Sequence, residues 1–254
     1  MEDVLNKNEL VYIVNDKFFW LMKFGSRKNI EMLQQGKIYM KNLQYYINLE
    51  HDSDDEDVGD IYDGLLPIHD VNLKIYTVDT KEFITQIKTP VSILNLGYKK
   101  APVFCMFILD SRNNTDVSLF GDELTARYDF SDKQKLKLSV FGDSVLMITD
   151  PGEFFSRMSK GLNDAGIGFA RDKVKYYERN TKEHFEDVMN NNSRIGFWKR
   201  KKYDYQQEYR YILDSSIDDY IIIDVGNLSD ISRIESADKI INSFTEVKFF
   251  IDKK

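Results

Sequence analysis

The densest cluster of reactive side chains lies late in the chain, in the segment Phe197–Leu213, FWKRKKYDYQQEYRYIL. A Gln-Gln-Glu step there leads into a predicted strand, Glu208–Leu213. Alternation along such a strand puts Gln206, Glu208 and Arg210 on one face. A glutamine beside a glutamate on one face can orient a ribose or a nucleophile, so Gln206 and Glu208 are the candidate catalytic residues. The alternative is that Glu208 and Arg210 only pair with neighbours on a polar sheet face.

The first half of the same segment combines consecutive cations with aromatic rings. Proteins that bind nucleotides or single-stranded nucleic acids use this combination, because rings stack on bases and cations pair with phosphates. The alternative is a solvated cationic face with Trp198 packed into the core. The candidate substrate or nucleic-acid contacts are Trp198, Lys199, Arg200, Lys201, Lys202, Tyr203, Tyr205 and Arg210.

Composition limits the class of protein. The chain has 254 residues, of which 42% are hydrophobic, which is enough to build a core and favours one domain over residues 1–254. Its net charge of −7 argues against a protein that coats nucleic acid non-specifically. Cys105 is the sole cysteine, which excludes an internal disulfide framework and favours a reducing compartment. Within the apolar run PVFCMFIL it is expected to be a buried, small hydrophobic residue.

Targeting and membrane segments are not evident in the sequence. Met1–Asn15 has no charged region followed by a sustained apolar core, and no apolar run approaches the roughly 18 residues of a membrane helix. We therefore expect a soluble, cytoplasmic protein without a membrane partner.

Eight carboxylates crowd the segment Glu50–Gly64, EHDSDDEDVGDIYDG. The calcium-loop pattern fails there, because its glycine position falls on Asp57 and its glutamate position on Asp63. The segment is predicted to be a mobile acidic loop over residues 50–64, in which Asp60 and Asp63 have the more ordered surroundings. No metal is expected, since the histidines and the cysteine are too scattered for a zinc site: His51, His69, His184 and Cys105.

Other catalytic motifs are missing as well. The sequence contains neither of the glycine-rich phosphate loops, GxxxxGK[ST] and GxGxxG, and it lacks the GxSxG motif of serine hydrolases. The functions that these absences leave open are carboxylate catalysis and binding without catalysis.

A strand–helix–strand unit near the start is the second organised feature of the sequence. Phe18–Phe24 is predicted to be a buried strand, and Ser26 is a candidate N-cap for a helix over Arg27–Gln35. Gly36 is well placed to end that helix, and Lys37–Met40 is predicted to be the next strand. In this unit Tyr39 and Met40 are expected to lie close to the first strand.

The remaining elements predict the fold class. Pro102–Leu109 is apolar throughout and is typical of a central strand, and Ser144–Thr149 is a second buried strand. Asp150, followed by a proline, predicts a helix start. Residues 111–137 form a polar excursion. Because strands outnumber helices and are not regularly interleaved with them, we predict an α+β fold with a mixed, mostly antiparallel sheet flanked by short helices.

Two motifs, MKFGSRKNIEMLQQGKIYMKNLQYY and KRKKYDYQQEYRYIL, give the chain a family resemblance. Together they resemble a broad, uncharacterised family of bacterial and phage proteins associated with defence islands. Such proteins open with a strand and N-I-x-x-L-x-x-G-x-I-Y and end with K-x-x-x-Y-x-x-E-x-R. The resemblance implies a role in antiviral defence, as a toxin for example, with a protein partner or antitoxin.

The same layout more distantly resembles the ADP-ribosyltransferase superfamily, which implies NAD as the bound nucleotide. Glu208 matches the catalytic glutamate and Gln206 the residue two before it. Lys23 lies on the first strand, where that superfamily usually has Arg or His, and Tyr39 matches an aromatic residue that stacks on nicotinamide. The implied mechanism is departure of nicotinamide through an oxocarbenium-like state that Glu208 stabilises. The alternative is a non-enzymatic protein that recognises a nucleotide, a nucleic acid or a phage protein through Lys199–Tyr205.

Overall fold

The chain folds into an α+β architecture with a mostly antiparallel sheet, which confirms the predicted class. The computed structural model describes residues 20–52, 59–94, 96–120, 123–178, 182–243 and 245–250. The strands are β1 (Trp20–Gly25), β2 (Lys37–Asn42), β3 (Leu65–Tyr76), β4 (Phe83–Leu94), β5 (Pro102–Leu109), β6 (Asn114–Phe120), β7 (Glu123–Tyr128), β8 (Ser144–Ile148), β9 (Phe169–Lys173), β10 (Lys175–Tyr177), β11 (Trp198–Arg200), β12 (Glu208–Leu213), β13 (Tyr220–Asp224), β14 (Ser232–Ser236) and β15 (Thr245–Phe250).

The helices are α1 (Arg27–Gln34), α2 (Leu43–Asp52), α3 (Leu96–Lys99), α4 (Asp132–Leu138), α5 (Pro151–Asp164), α6 (Lys182–Asn190) and α7 (Ala237–Ile241). Short 3₁₀ helices cover Ser111–Asn113, Ser139–Phe141, Asn192–Phe197 and Lys201–Gln206. Within the described residues, no helix is both long enough and apolar enough to cross a bilayer.

The predicted strand–helix–strand unit forms as β1, α1 and β2. Ser26 occupies the N-cap position of α1 but makes no side-chain capping bond. Instead, Asp143 Oδ1 accepts a hydrogen bond from the backbone N–H of Arg27 at 3.0 Å, so a carboxylate from another segment satisfies the helix start. Gly36 follows the helix with φ +86°, a left-handed conformation that suits glycine.

The main sheet divides at its central strand. Eight strands form it in the order β13-β2-β5-β1-β8-β14, and β12 joins β5 to β9. One edge of β5 pairs with β12 from Val103 to Phe107. The opposite edge pairs with β2 at Pro102 and Val103, and with β1 from Phe107 to Leu109. β1 and β2 therefore diverge from one shared edge, and in the described register no strand pairs on that side with residues 104–106.

Apolar layers cover both faces of this sheet. On one face, helices α1 and α5 bury Ile30, Leu33, Phe154, Met158 and Leu162 against it. On the other face, the three-stranded sheet β15-β7-β6 and the helices α4 and α7 bury Leu124, Ala126, Tyr128, Leu138 and Ile241. Burial of these side chains on both faces holds the diverging strands in place.

Residues 111–137, predicted as a polar excursion, form much of this second layer. Their polar residues alternate with Val117, Leu124 and Ala126, which are buried, so β6 and β7 form an amphipathic hairpin. A capping box between Ser131 and Gln134 then starts α4.

The prediction of a mobile acidic loop over residues 50–64 is wrong at both ends of that segment. α2 continues to Asp52, and residues 53–58 lie outside the described residues. At 59–64 the chain makes a turn in which Asp60 and Asp63 are only 1% and 2% exposed. These carboxylates are held inside by arginines, as shown below, and are not solvated.

The prediction of a single domain over residues 1–254 stays a prediction.

The turn at Gly36 fixes the angle between α1 and β2. A Cβ at Gly36 would lie 1.9 Å from the carbonyl oxygen of Gly226, whereas Gly166, also left-handed at φ +69°, has open space around its Cβ position. We expect Gly166→Ala to lower the free energy of unfolding by about 1–2 kcal/mol. Gly36→Ala should cost about 1–3 kcal/mol more, because backbone must shift. Urea unfolding of both variants checks this, and equal losses would contradict it.

Candidate active site

Lys23 lies where β1 and β2 diverge. Its Nζ donates a hydrogen bond of 2.7 Å to the backbone carbonyl of Cys105, in the stretch of β5 that none of the described strands covers on that side. The ammonium also lies 5.1 Å from the centre of the Phe104 ring. Burial lowers the pKa of Lys23, while Cys105 and Glu208 act in the opposite direction.

Two cations hold the carboxylate of Glu208. Lys199 Nζ donates to Glu208 Oε1 at 2.7 Å, and Arg210 donates to Oε2 through Nη2 at 2.7 Å and Nε at 3.1 Å. Lys199 also donates to Gln206 Oε1 at 2.6 Å. The backbone N–H of Glu208 donates to the hydroxyl of Tyr176 at 3.0 Å. Glu208 is 7% exposed, so it is a buried anion whose charge is compensated by two cations.

The turn at 59–64 supplies the balancing carboxylates. Asp63 accepts a bidentate pair of bonds from Arg210, with Nη1 at 2.8 Å and Nη2 at 2.9 Å. Asp60 accepts from Arg200 Nε at 2.7 Å. Lys199 and Arg210 thus neutralise Glu208 and Asp63, and Arg200 neutralises Asp60.

The strand β12 covers Glu208–Leu213 as predicted, but the strand alternation expected to include Gln206 does not reach that residue. Gln206 ends a 3₁₀ helix, and Gln207 adopts a left-handed conformation with φ 36° and ψ 56°, so strand alternation starts only at Glu208. The Gln207 side chain compensates through buried hydrogen bonds, donating to Ile108 O at 3.0 Å and Asn113 Oδ1 at 2.8 Å. This amide network, which Gln134 joins, fixes the turn that aims Gln206 and Glu208 at the same lysine.

Electrostatics keep Glu208 ionised. Burial alone would raise its pKa, but Arg210 and Lys199 hold the pKa of this carboxyl well below its usual range. Burial likewise opposes the charge on Lys199, yet Glu208 and Asp63 raise its pKa. For Asp60, burial and the neighbouring Asp63 raise the pKa against the attraction of Arg200.

A cavity of about 160 Å³ opens beside this network. Its polar lining comes from Lys23, Asp63, Lys199, Gln206, Glu208 and Arg210, and its remaining lining includes Tyr46, Cys105, Met106, Phe107 and Phe141. Three cations face two carboxylates there, which leaves one positive charge in excess. A cavity of roughly 150 Å³ takes a single six-membered ring.

A larger cavity of about 640 Å³ adjoins the first and shares Lys23, Phe24, Tyr46 and Phe141 with it. It lies between β1, α1, β2 and α2. Its charged lining residues are Lys23, Lys28, Lys37 and Lys41, and no carboxylate lines it among the described residues. In a chain with net charge −7, such a cleft concentrates anions. Its volume falls in the range of about 300–1,000 Å³ for small-molecule sites.

The structure brings three of the four predicted catalytic and nucleotide-binding residues together. Lys23, Gln206 and Glu208 line the smaller cavity. Tyr39 lines only the larger one, where the residue is 42% exposed and its ring stacks on Tyr220 at 5.1 Å between ring centres. Gln206 and Glu208 meet through Lys199 and not through strand alternation, which corrects the predicted reason for their proximity.

The basic, aromatic segment, predicted to contact a substrate or a nucleic acid, is mostly interior, and Trp198 is packed into the core as the alternative expects. Trp198, Tyr203 and Tyr205 are 4%, 1% and 4% exposed. Trp198 Nε1 donates to Asp187 at 2.8 Å, and its ring stacks on His184. Rings so enclosed cannot stack on bases.

The cations of that segment also differ from the prediction. Lys199 and Arg210 are inside the ionic network, and Arg200 is half-buried against Asp60. Lys202 lies 4.9 Å from the Tyr203 ring and is half-buried, while Lys201 is exposed and pairs with Asp204 at 3.5 Å. The segment therefore supports the wall of the smaller cavity, which Lys199 and Arg210 line.

Cys105 is half-buried and lines the smaller cavity, so the prediction of a buried hydrophobic residue is only partly right. Burial and the nearby Glu208 raise the pKa of its thiol to about 12, which leaves it a poor nucleophile. In the part of the chain that the structure describes, no group of three His, Cys, Asp or Glu residues is arranged to hold a metal ion.

Sequence reasoning missed the lysines of the larger cavity. Between residues 20 and 42 the chain carries five cations and Glu31 as the sole carboxylate, against an acidic background. That local excess was the available signal for Lys28, Lys37 and Lys41. The sequence predicts ordered surroundings for Asp60 and Asp63, but their arginine partners lie 140 and 147 residues away, so no local spacing indicates them.

Comparison with protein-family models, with curated proteins and with solved structures gives no match for this chain. The resemblance of its two motifs to defence-associated proteins and to ADP-ribosyltransferases thus stays a prediction.

The ionic network should dominate local stability. Asp63 and Asp230 each accept a bidentate pair of bonds from one arginine, but Asp63 is buried whereas the side chain of Asp230 is 60% exposed. Asp63→Asn should lower the free energy of unfolding by about 3–5 kcal/mol, because Arg210 loses a buried counter-ion. Asp230→Asn should cost at most about 1 kcal/mol. Chemical unfolding measures both, and similar losses would contradict the buried network.

Acid should weaken the fold through Glu208. Its pKa is lower in the folded protein than in the unfolded chain, so its stabilisation is complete above the unfolded value and is lost as pH falls towards the folded value. Between about pH 4.5 and 3 this carboxyl contributes a slope approaching ~1.4 kcal/mol per pH unit. Asp60, whose pKa is raised in the folded protein, contributes a slope of the opposite sign. That contribution is the same in the wild type and in a variant changed only at Glu208.

Glu208→Gln should therefore reduce the slope of the unfolding free energy against pH, below about pH 4.5, by up to about 1.4 kcal/mol per pH unit. Unfolding free energies measured by denaturant titration at several pH values check the difference. An unchanged slope would show that Glu208 is not held as an anion.

Proposed function

We propose that the chain binds a dinucleotide such as NAD in the two adjoining cavities and transfers its ADP-ribosyl group at Glu208. The observation that supports the proposal is the meeting of Lys23, Gln206 and Glu208 in one cavity that adjoins a lysine-lined cleft, in which none of the described lining residues is a carboxylate. The motif resemblance points to the same chemistry.

The two cavities fit the two ends of such a ligand. The smaller, at about 160 Å³, suits a single planar ring such as nicotinamide. The larger supplies Lys23, Lys28, Lys37 and Lys41 for a pyrophosphate, and exposed tyrosines, Tyr39 and Tyr45, for an adenine. Lys37 and Lys41 pair with Asp224 and Asp219, so Lys23 and Lys28 are the lysines most directly available to phosphate.

Glu208 would act as a fixed negative charge. Oε1 accepts one hydrogen bond and Oε2 two from the described residues, whereas a carboxylate has about four acceptor positions. Oε1 can therefore also accept from a ribose hydroxyl while it keeps Lys199. In the transfer, the bond from ribose C1′ to the nicotinamide nitrogen breaks and its electron pair leaves with nicotinamide. An acceptor nucleophile then bonds to C1′ and loses its proton, and Glu208 stabilises the positive charge that develops.

A second candidate is nucleotide binding without transfer. It is favoured by the ion pairs themselves, since Lys199 and Arg210 already compensate the charge of Glu208. In that case the lysine-lined cleft is the functional feature and Glu208 is structural. For both candidate functions we propose a cytoplasmic location, where Cys105 stays reduced. The proposed defence role rests on motif resemblance alone.

Binding and transfer can be tested separately. Calorimetric titration with NAD should detect binding by the wild type, and Lys23→Met should weaken it about tenfold or more by removing a charged contact. Lys28→Met should weaken it less, and Lys160→Met, on the exposed side of α5, should leave it unchanged. No binding by the wild type would contradict both candidates.

Transfer is tested with adenylate-labelled NAD in bacterial lysate. Wild type and the exposed-site control Glu186→Gln should label the same acceptor, whereas Glu208→Gln should bind NAD within about threefold of wild type and lose at least about 100-fold in labelling. Labelling unaffected by Glu208→Gln would contradict the enzymatic proposal. Binding without any labelling supports the second candidate.

A further inference from the structure

One face of the strand β2 lines the larger cavity with a tyrosine between two lysines. Lys37, Tyr39 and Lys41 alternate with Ile38 and Met40, which are buried on the opposite face. Because a strand rises about 3.3 Å per residue, Tyr39 lies roughly 7 Å from each of these lysines along the strand. A ring that stacks on Tyr39 is therefore within reach of an ammonium on either side.

The two lysines lie at different ends of the cleft. Lys41 is in register with Val103 of β5, and Val103 lines the smaller cavity. Lys37 lies at the start of β2, where that strand pairs with β13 alone among the described strands. A dinucleotide with nicotinamide in the smaller cavity and adenine on Tyr39 therefore places its adenosine end nearest Lys37.

Lys41 is engaged with the wall of the cleft. Its ammonium pairs with Asp219 and lies 5.0 Å from the centre of the Tyr45 ring and 5.7 Å from that of the Tyr220 ring. These contacts hold the ammonium beside the tyrosines.

Lys37 is more readily available to a ligand. It pairs with Asp224, and the side chains of the two residues are 45% and 60% exposed. An exposed ion pair of this kind contributes little to stability, so a phosphate can take over the ammonium. Asp224 would keep the hydrogen bond that it accepts from the backbone N–H of Gly226 at 3.0 Å.

Dinucleotide sites distinguish NAD from NADP at the adenosine ribose. A carboxylate that accepts from the 2′-hydroxyl favours NAD, whereas a cation near that position accommodates the 2′-phosphate of NADP. No carboxylate lines the larger cavity among the described residues, and Lys37 supplies a cation at its adenosine end. Lys23 and Lys28 match the pyrophosphate, which leaves Lys37 for further negative charge.

We propose that the bound nucleotide carries a phosphate on its adenosine ribose, as NADP does, and that Lys37 binds this phosphate. The inference rests on the proposed function, from which it takes the dinucleotide and its orientation. A phosphate monoester adds a charge of about −1.5 to −2 at neutral pH. A lysine-lined cleft therefore attracts NADP more strongly than NAD.

Paired titrations test the preference. Calorimetric titration of the wild type should give a dissociation constant for NADP that is about tenfold or more below that for NAD. Lys37→Met should bring the two constants to within about threefold of each other, because NADP loses its additional charged contact. Lys37→Arg should keep the preference, since it retains the cation.

The matched control is Lys100→Met. Lys100 forms a comparable exposed ion pair, with Asp218 at 2.6 Å, but it does not line the cleft. This variant should leave both dissociation constants unchanged. Circular dichroism establishes that each variant is folded.

A second comparison isolates the adenosine end. Adenosine 2′,5′-bisphosphate should bind the wild type more tightly than AMP does, and Lys37→Met should remove the difference. Equal binding of these two compounds would contradict a phosphate site at the adenosine ribose.

The outcomes separate this inference from the proposed function. If NAD binds as tightly as NADP, or more tightly, the inference is wrong and the proposed function stands. A preference for NADP that survives in Lys37→Met, or that falls equally in Lys100→Met, would contradict the role of Lys37. If neither dinucleotide binds, the proposed function is wrong and the inference is wrong with it.

Discussion

The compensation of buried carboxylates by buried cations organises the candidate site. Asp63 and Glu208 share Arg210, whose side chain is 2% exposed, and burial of one such charge without a partner costs several kcal/mol. The contacts that balance these charges tie the turn at 59–64, the strand β11 and the strand β12 into one unit. Arg210 also donates to the carbonyl of Gly196 at 2.7 Å, which adds the preceding 3₁₀ helix. The cavity beside this unit therefore has walls from segments far apart in sequence, held at fixed positions by directional bonds.

The division of the main sheet provides the space that the ionic network borders. Because β1 and β2 pair with different ends of one edge of β5, no strand of the described residues pairs with residues 104–106 on that side. Lys23 donates a hydrogen bond to one of the carbonyls in this stretch, that of Cys105. Because a buried carbonyl needs a donor, the cation is held in the cleft by this bond. The same lysine lines both cavities, and its position thereby joins the anion-attracting cleft to the carboxylate of Glu208.

Local signals predicted the elements well and the site only in part. Pro102–Leu109 was recognisable as a buried strand from its unbroken apolar run, and Asp150 before Pro151 as a helix start, because both patterns act over a few residues. Strand alternation failed at Gln206, since the left-handed Gln207 resets the register, and only the long-range amide network with Asn113 and Gln134 makes that conformation favourable. The partners of Trp198–Tyr205 were hidden for a similar reason, since Arg200 pairs with Asp60, which lies 140 residues away in the sequence.

Lys199 and Arg210 together form a clamp on the Glu208 carboxylate, and the strength of this clamp limits the chemistry that the carboxylate can perform. A general base works best when its pKa is near the working pH, whereas Arg210 and Lys199 hold the pKa of Glu208 well below its usual range. Proton abstraction is therefore a poor role for it. A permanently ionised carboxylate that keeps an acceptor position on Oε1 is better suited to bind a hydroxyl and to stabilise a developing positive charge. One neutral hydrogen bond contributes only about 0.5–1.5 kcal/mol, so a ligand adds to the clamp and does not displace Arg210. Glycosidic bond cleavage with a cationic ribose needs that kind of fixed charge, and a general-base hydrolysis does not.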